Sequence, residues 1–278
     1  MKKRMLFFLW MILAVCLAAG CGKGDSAQIG KEPDGQFNTE DEVLEGEPEK
    51  ETEPGPEAPE PEKREIVDGK IRSYFTGEWI DADIGTKRPL AVMLSMTPAA
   101  LPMSGPTGAS VIYECPVEKR ITRWMGIFED WEKLEKIGSV RSCRTYYTYF
   151  AREFDAVYVH FGQSTFAKPY LGNVDNINGL EGIGTTAFYR TKDKKSPHNA
   201  YTSGRRITES IGKLGYAPDY DASYQGHYLF ARDGKEAGLD GRPGVMDAGT
   251  VRPGYAMNQA YFVYDSSDGL YHRYQYGG

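Results

Sequence analysis

The first residue with chemistry of its own is Cys21, which closes the stretch Leu17-Ala18-Ala19-Gly20-Cys21. Ahead of it stand Lys2, Lys3 and Arg4 and then an apolar run from Met5 to Ala19. A basic start, an apolar middle and small residues at the end make a secretory signal. The cysteine makes it a lipoprotein signal: its thiol receives a diacylglyceryl group, and Gly20 lets the peptidase reach the bond before it. Cys16 follows Val15, which is too bulky for that place. The apolar run is shorter than the ~20 residues that span a bilayer, whereas several acyl chains on one residue give stable anchoring. Residues 1–20 are therefore expected to be a signal peptide. Cys21 is expected to start the mature chain, lipid-anchored at the extracytoplasmic face of a bacterial cell membrane.

Three polar stretches could carry a site in the folded part. Val140-Arg141-Ser142-Cys143-Arg144 leads into a helical pattern, where unpaired N–H groups and two guanidinium forks would take a carboxylate or phosphate. Two arginines oppose the helix dipole there, so the other reading is pairing with internal acids such as Asp155 or Glu114. His160 ends an apolar run and is followed by Gly162, Gln163 and Ser164. Ligands gather beyond the carboxyl ends of strands in α/β sheets, so His160 could act as a base or hydrogen-bonding group and Ser164 as a nucleophile. No Gly-x-Ser-x-Gly elbow is present, and a capped core histidine accounts for the same residues. Ser196-Pro197-His198-Asn199 is loop chemistry, presenting His198 and Asn199 as polar heads or as turn and cap residues. The candidate ligand-binding set is thus Arg141, Arg144, His160, Ser164, His198 and Asn199.

Other chemistries have less support. No HxxxH or HExxH spacing favours a metal site from Glu114, His160 and His198, so no metal or other cofactor is expected. Cys115 and Cys143 are the thiols left after signal removal and lipidation, and in an exported protein they form a possible disulfide. Trp124, Trp131 and the late tyrosines could stack on glycans, or serve as core and cross-strand pairs. Neither a phosphate loop, a dinucleotide fingerprint nor a basic stripe appears, which argues against nucleotide and nucleic-acid partners.

The elements that must position these groups are legible in the apolar pattern. Pro89–Ser95, Ala109–Glu114, Ile121–Phe128 and Asp155–His160 read as strands, and Ser142–Phe154 as a helix. The spacing predicts a second helix over Thr202–Leu214, with Ile207, Ile211 and Leu214 on one stripe, Thr202 or Ser203 as cap and Gly215 at the end. Strands interleaved with helices indicate an α/β or α+β fold, a mixed sheet with flanking helices. Of nineteen tyrosines, ten fall between Tyr216 and Tyr276. There Ala260–Asp265 and Leu270–Tyr276 flank Ser266-Ser267-Asp268-Gly269, a hairpin that starts a β-rich second domain. A lone hairpin is marginal in water, so the expectation is either a truncated second domain or pairing of the hairpin back onto the first.

Charge divides the chain in the same way. Its net charge is -6 over 278 residues, yet residues 40–65 hold twelve acids against three bases and residues 66–278 sum to about +1. Residues 21–65 are rich in Glu and Pro and hold too little apolar surface to offset ordering entropy. They read as an acidic, disordered tether that anionic headgroups would repel, holding the domain off the membrane. The organisation expected is a signal over 1–20, the lipidated cysteine and tether over 21–65, and an α/β domain over 66–216. A connecting segment over 217–257 and a β-rich beginning over 258–278 follow.

Six islands in register carry a family resemblance. They are Arg88-Pro89-Leu90-Ala91-Val92-Met93; Ser104-Gly105 with Ala109 to Glu114; Ile121-Thr122-Arg123-Trp124; Ile137 to Arg144; Tyr158 to Ser164; and Ser196 to Tyr201. Over roughly residues 86–276 the chain resembles the YerB-like bacterial lipoprotein family, whose central region is classed as a domain of unknown function. The resemblance implies an extracytoplasmic lipoprotein with a second, C-terminal domain, and it brings no established reaction. The chain departs from the family pattern at Glu118-Lys119-Arg120, where the family tends to have Gly, and at Cys115 and Cys143, where it has small or apolar residues. Together these readings point to a membrane-anchored envelope protein that binds an anionic or glycan-derived ligand, such as a cell-wall component, or a partner protein. A cell-wall hydrolase using His160 or His198 is the alternative, and a purely structural assembly factor the third.

Overall fold

Leu90–Ser95 is the apolar run around which the domain is built, and every one of its residues is buried. The computed structural model describes residues 64–231, 238 and 243–277. The signal segment, Cys21 and the acidic tether as far as residue 63 lie outside the described residues, as does part of the connecting segment. In chain order the strands are β1 (Lys70–Arg72), β2 (Trp79–Asp81), β3 (Leu90–Ser95), β4 (Val111–Pro116), β5 (Thr122–Phe128), β6 (Ile137–Gly138) and β7 (Val157–His160). They continue with β8 (Asn176–Asn178), β9 (Tyr189–Arg190), β10 (Ala200–Thr202), β11 (Thr250–Val251), β12 (Tyr261–Asp265) and β13 (Leu270–Tyr274). The helices are α1 (Ala82–Gly85), α2 (Thr145–Glu153), α3 (Gly184–Ala187) and α4 (Gly204–Leu214). None of the described helices is long and apolar enough to cross a membrane.

The main sheet has the order β4-β5-β3-β7-β8. β3 pairs antiparallel with β5 and parallel with β7, and β7 runs parallel to β8. Helices cover both faces, which is why β3 is apolar from Leu90 to Leu94 rather than alternating with polar residues. Leu90, Val92, Leu94, Val157 and Val159 pack on one side with Ile207 and Ile211 of α4. Ala91, Met93, Met125, Ile127 and Tyr158 pack on the other with Tyr147 and Ala151 of α2. The fold is therefore mixed α/β, as the element pattern indicates. A smaller antiparallel sheet, β6-β10-β9, lies in the same chain.

Boundaries differ where polar residues flank an element. α2 begins at Thr145, not Ser142, because Arg144 stands in extended conformation as its N-cap and residues 139–143 bond to strand ends instead. α4 begins just after Ser203, whose hydroxyl accepts from the Arg206 N–H, and ends on Gly215 with φ +71°. Leu214, expected on its buried stripe, is 39% exposed. β11, β12 and β13 form a three-stranded antiparallel sheet, and its hairpin reaches back to the main sheet through the Arg273–Glu114 ion pair at 2.8 Å. The hairpin also ties down through the Tyr276 hydroxyl, which donates to the Met96 carbonyl.

Candidate functional site

The segment between β6 and α2 is the structural basis of the site. Val140 bridges to Leu94, the Arg141 N–H donates to the Met93 carbonyl at 2.9 Å, and the Arg141 carbonyl accepts from the Phe161 N–H at 2.9 Å. The chain is thereby inserted where the parallel strands β3 and β7 end, and neighbouring strands splay or stop there. Such carboxyl ends are where open α/β sheets collect ligands. The loop after β9 delivers a second group to the same place. Arg141 Nη1 donates to the Pro197 carbonyl at 3.2 Å and lies 3.4 Å from His198 Nδ1. Thr97 Oγ1 is 3.3 Å from that nitrogen, and Ser95 Oγ is 3.2 Å from Thr97 Oγ1.

Beneath this corner sits Arg123 on β5, opposite Ser95 in register and 4% exposed. Its Nη1 donates to the Ser142 carbonyl at 2.6 Å. Burial first, then the charges of Arg144 and Arg141, push its pKa down to about 10, so it stays cationic near neutral pH. Arg141 is lowered by burial and then by Arg144. His198 is lowered by burial, then by Arg141 and Lys194, which favours the neutral ring.

The remaining expected residues are placed differently. Arg144 is spent on Glu118 in a two-pronged pair with both contacts at 2.5 Å, so its acid is neither Asp155 nor Glu114. Asp155 pairs with Arg88 at 3.2 Å. His160 is fully buried, with Nδ1 2.8 Å from the Gly162 carbonyl and Nε2 3.2 Å from Asn176 Oδ1. Both ring nitrogens are engaged and the side chain does not join Arg141 and His198. Ser164 Oγ accepts from the Ala167 N–H at 3.2 Å, closing a turn. Asn199 accepts from Arg190 at 2.7 Å and donates to the Thr191 carbonyl at 2.9 Å, so it orders the loop that carries His198.

Cys115 and Cys143 are free thiols, not a disulfide. Cys143 is buried against α2 and Tyr158, and burial raises its pKa to about 11. Cys115 lies on β4 with its N–H donating to the Tyr147 hydroxyl at 3.1 Å. Trp131 is buried with its indole N–H donating to the Arg88 carbonyl at 3.1 Å, which makes it core rather than a stacking platform. Trp124 is half-buried under Arg273. Among the described residues Glu114, His160 and His198 do not come together as a ligand set. Asp265, Asp268 and His272 do lie within 4.8 Å of one another on the exposed hairpin, where Asp265 and Asp268 also accept the hydrogen bonds of the turn.

Two residues of the corner, Thr97 and Arg123, do not stand out as site candidates in the sequence. Arg123 had a usable signal: a charged residue inside Thr122–Phe128, a strand otherwise buried, needs a reason to be there. Thr97 had none.

Fold and site together define a mixed α/β protein with a cationic corner beyond the carboxyl ends of its parallel strands. Residues 75–217, over half of the chain, match the family described as a protein of unknown function (DUF3048), N-terminal domain, and the chain belongs to that family. The chain is 36% identical over 149 residues to YerB of Bacillus subtilis (strain 168), which is named as a lipoprotein. That match spans 53% of this chain and 44% of the relative, so it covers under half of the relative's length. The fold is similar to the crystal structure of YerB from Bacillus subtilis, with a TM-score of 0.63 and 29% identity over 75% of this chain and 68% of that one.

Proposed function

We propose that the protein is a lipid-anchored binding protein of the bacterial cell envelope whose α/β domain takes an anionic ligand at the corner of Arg123, Arg141 and His198. The observation that carries this reading is the Arg141 guanidinium. It is half-buried, it is held by a carbonyl and an imidazole, and no carboxylate is among its partners in the described residues. A desolvated charge without a counter-charge is costly, and a guanidinium fork matches the oxygens of a carboxylate or phosphate. Support for the anchor comes from Gly20-Cys21 and from the lipoprotein naming of the relative. The secretory order of residues 1–20 supports the extracytoplasmic face for the domain, near cell-wall anions and envelope proteins.

A hydrolase would draw on the 3.3 Å contact between Thr97 Oγ1 and His198 Nδ1. Arg141 donates to the same nitrogen, which lowers its basicity, so binding is the better supported use of the corner. The test is calorimetric titration of the detergent-solubilised full chain with phosphate-bearing and carboxylate-bearing wall fragments at low salt. Binding that Arg141→Gln abolishes is expected, without product release; equal binding by that variant, or turnover, overturns the reading. The anchor is tested separately, since Cys21→Ser should abolish palmitate labelling and release the protein from membranes.

A further inference from the structure

The corner holds more positive charge than a singly charged ligand neutralises. Arg123 and Arg144 donate to one and the same oxygen, the Ser142 carbonyl, at 2.6 and 3.3 Å. Arg141 is the residue just before that carbonyl. The carboxylate that meets this trio is Glu118, and both of its oxygens are taken by Arg144. Arg123 and Arg141 therefore form no ion pair among the described residues. Across the corner Lys194 Nζ is held at 2.7 Å by the Ala100 carbonyl, and also by the Pro102 carbonyl and the Tyr201 hydroxyl. Asp193, exposed beside it, interacts with both Lys136 and Lys194. Cys143 and Tyr147, which face Arg123, are kept in their neutral forms by burial and add no counter-charge.

The donors left over are suited to oxygens. Arg141 uses Nη1 alone, and its Nε and Nη2 make no hydrogen bond among the described residues. Because Nδ1 of His198 accepts from a guanidinium, its ring proton sits on Nε2 as a further donor. Two unneutralised guanidinium charges with donors on two sides call for two negative charges on one compact group. We propose that the corner recognises a phosphate monoester in its dianionic form, in preference to a phosphodiester or a carboxylate. This rests on the anion-binding reading above and names the ligand class for the same site. A monoester carries a charge of about -1.5 to -2 at pH 7, its second pKa being about 6, whereas a diester carries one charge at every working pH.

The experiment compares three probes on the detergent-solubilised full chain by calorimetry at pH 5.0 and pH 7.5 in low salt: glycerol 3-phosphate, sulfate and dimethyl phosphate. Sulfate is doubly charged at both pH values, so it registers any titration of Glu118, His198 or Asp193 and serves as the reference. Measured against sulfate at the same pH, glycerol 3-phosphate should gain about tenfold in affinity from pH 5.0 to 7.5, following its dianion fraction. Dimethyl phosphate should bind at least tenfold more weakly than glycerol 3-phosphate at pH 7.5. Equal affinity of these two at pH 7.5 would overturn the dianion inference and leave the anion-binding reading standing. If none of the three binds, and neither carboxylate nor phosphate wall fragments bind, both fall together.

Discussion

Arg141 Nη1 sits 3.4 Å from His198 Nδ1, and the guanidinium constrains the proton state of the imidazole. A guanidinium can only donate, so Nδ1 must accept and the ring proton belongs on Nε2. Burial, then the charges of Arg141 and Lys194, hold the ring below its ordinary pKa of 6.5. A base depressed in the folded state costs no stability above its unfolded value. The cost appears as pH falls from about 6.5 and is complete below the folded value. Long-range proton–nitrogen spectra should show the Nε2–H form of His198 with a midpoint below 6.5, and Arg141→Gln should raise that midpoint. An Nδ1–H form would contradict the contact.

Glu118 shows the opposite sign. Hydrogen bonds from Arg144 hold its carboxyl below the ordinary 4.5. Its contribution is present in full above pH 4.5 and is lost as pH falls through the lower, folded value. The Glu118 side chain is 58% exposed, so Glu118→Gln should cost less than about 1 kcal/mol at pH 7 and flatten the acid limb of stability against pH. The same change removes the acid paired with Arg144 and should tighten glycerol 3-phosphate binding severalfold. Weaker binding would show that Glu118 positions the ligand instead of competing with it.

How far the sequence alone reveals this arrangement can be judged from particular residues. β3 was legible because a central strand covered on both faces reads as a continuous apolar run, here Leu90 to Leu94, and α4 because Ser203 and Gly215 mark its ends. The start of α2 was not, because residues 139–143 satisfy their backbone on β3, on β10 and on the chain just beyond β7, partners that no local pattern reveals. Arg141 and His198 were both visible as candidates, 57 residues apart, but not their contact. His160 had the same appearance in the sequence. Its partners, the Gly162 carbonyl and Asn176, are what make it a core group. Polar residue types announce that a partner exists, and only tertiary structure says whether that partner is internal.

The two thiols should be unreactive in the native domain. Burial raises the pKa of Cys143 to about 11 and also raises that of Cys115, so little thiolate exists at pH 7.5. Cys143 is fully buried, whereas Cys115 is half-exposed. Iodoacetamide should label Cys115 slowly and leave Cys143 untouched until guanidinium is added. Gel mobility of the domain should be the same with and without reductant. Rapid native labelling of Cys143 would mean that α2 opens away from the sheet.

Gly204 and Gly212 lie in the same helix and should respond in opposite ways to alanine. A Cβ on Gly204 would stand 2.1 Å from the Glu132 carbonyl oxygen and 2.4 Å from that of Trp131, both backbone atoms that cannot swing aside. Gly204→Ala should therefore destabilise by about 3 kcal/mol or more, the upper end for overpacking. A Cβ on Gly212 meets nothing within 4 Å, so Gly212→Ala should stabilise by about 0.5–1 kcal/mol through helix propensity. Urea denaturation midpoints of the two variants check both signs. A neutral Gly204→Ala would mean that α4 does not press on the 131–132 turn.

Glu114 is the post on which the C-terminal hairpin hangs. Its Oε1 accepts from Thr122 and from Asn258 Nδ2, each at 2.6 Å, and its Oε2 accepts from Arg273 Nη2 at 2.8 Å. The Arg273 and Glu114 side chains are only 17% and 10% exposed, so removing the acid strands a largely buried guanidinium above Trp124. Breaking a fully buried pair costs about 3–5 kcal/mol, and replacing both partners costs much less because no charge is left behind. Glu114→Gln should therefore strip hydrogen-exchange protection from Tyr261–Tyr274 while sparing β3 and β7. Combining it with Arg273→Met should restore much of that protection, a non-additive result that a double-mutant cycle reads directly. If the two substitutions simply add, the pair does not hold the hairpin, and Asn258 and the Tyr255 hydroxyl, which donates to the Glu114 carbonyl at 2.7 Å, must carry the attachment.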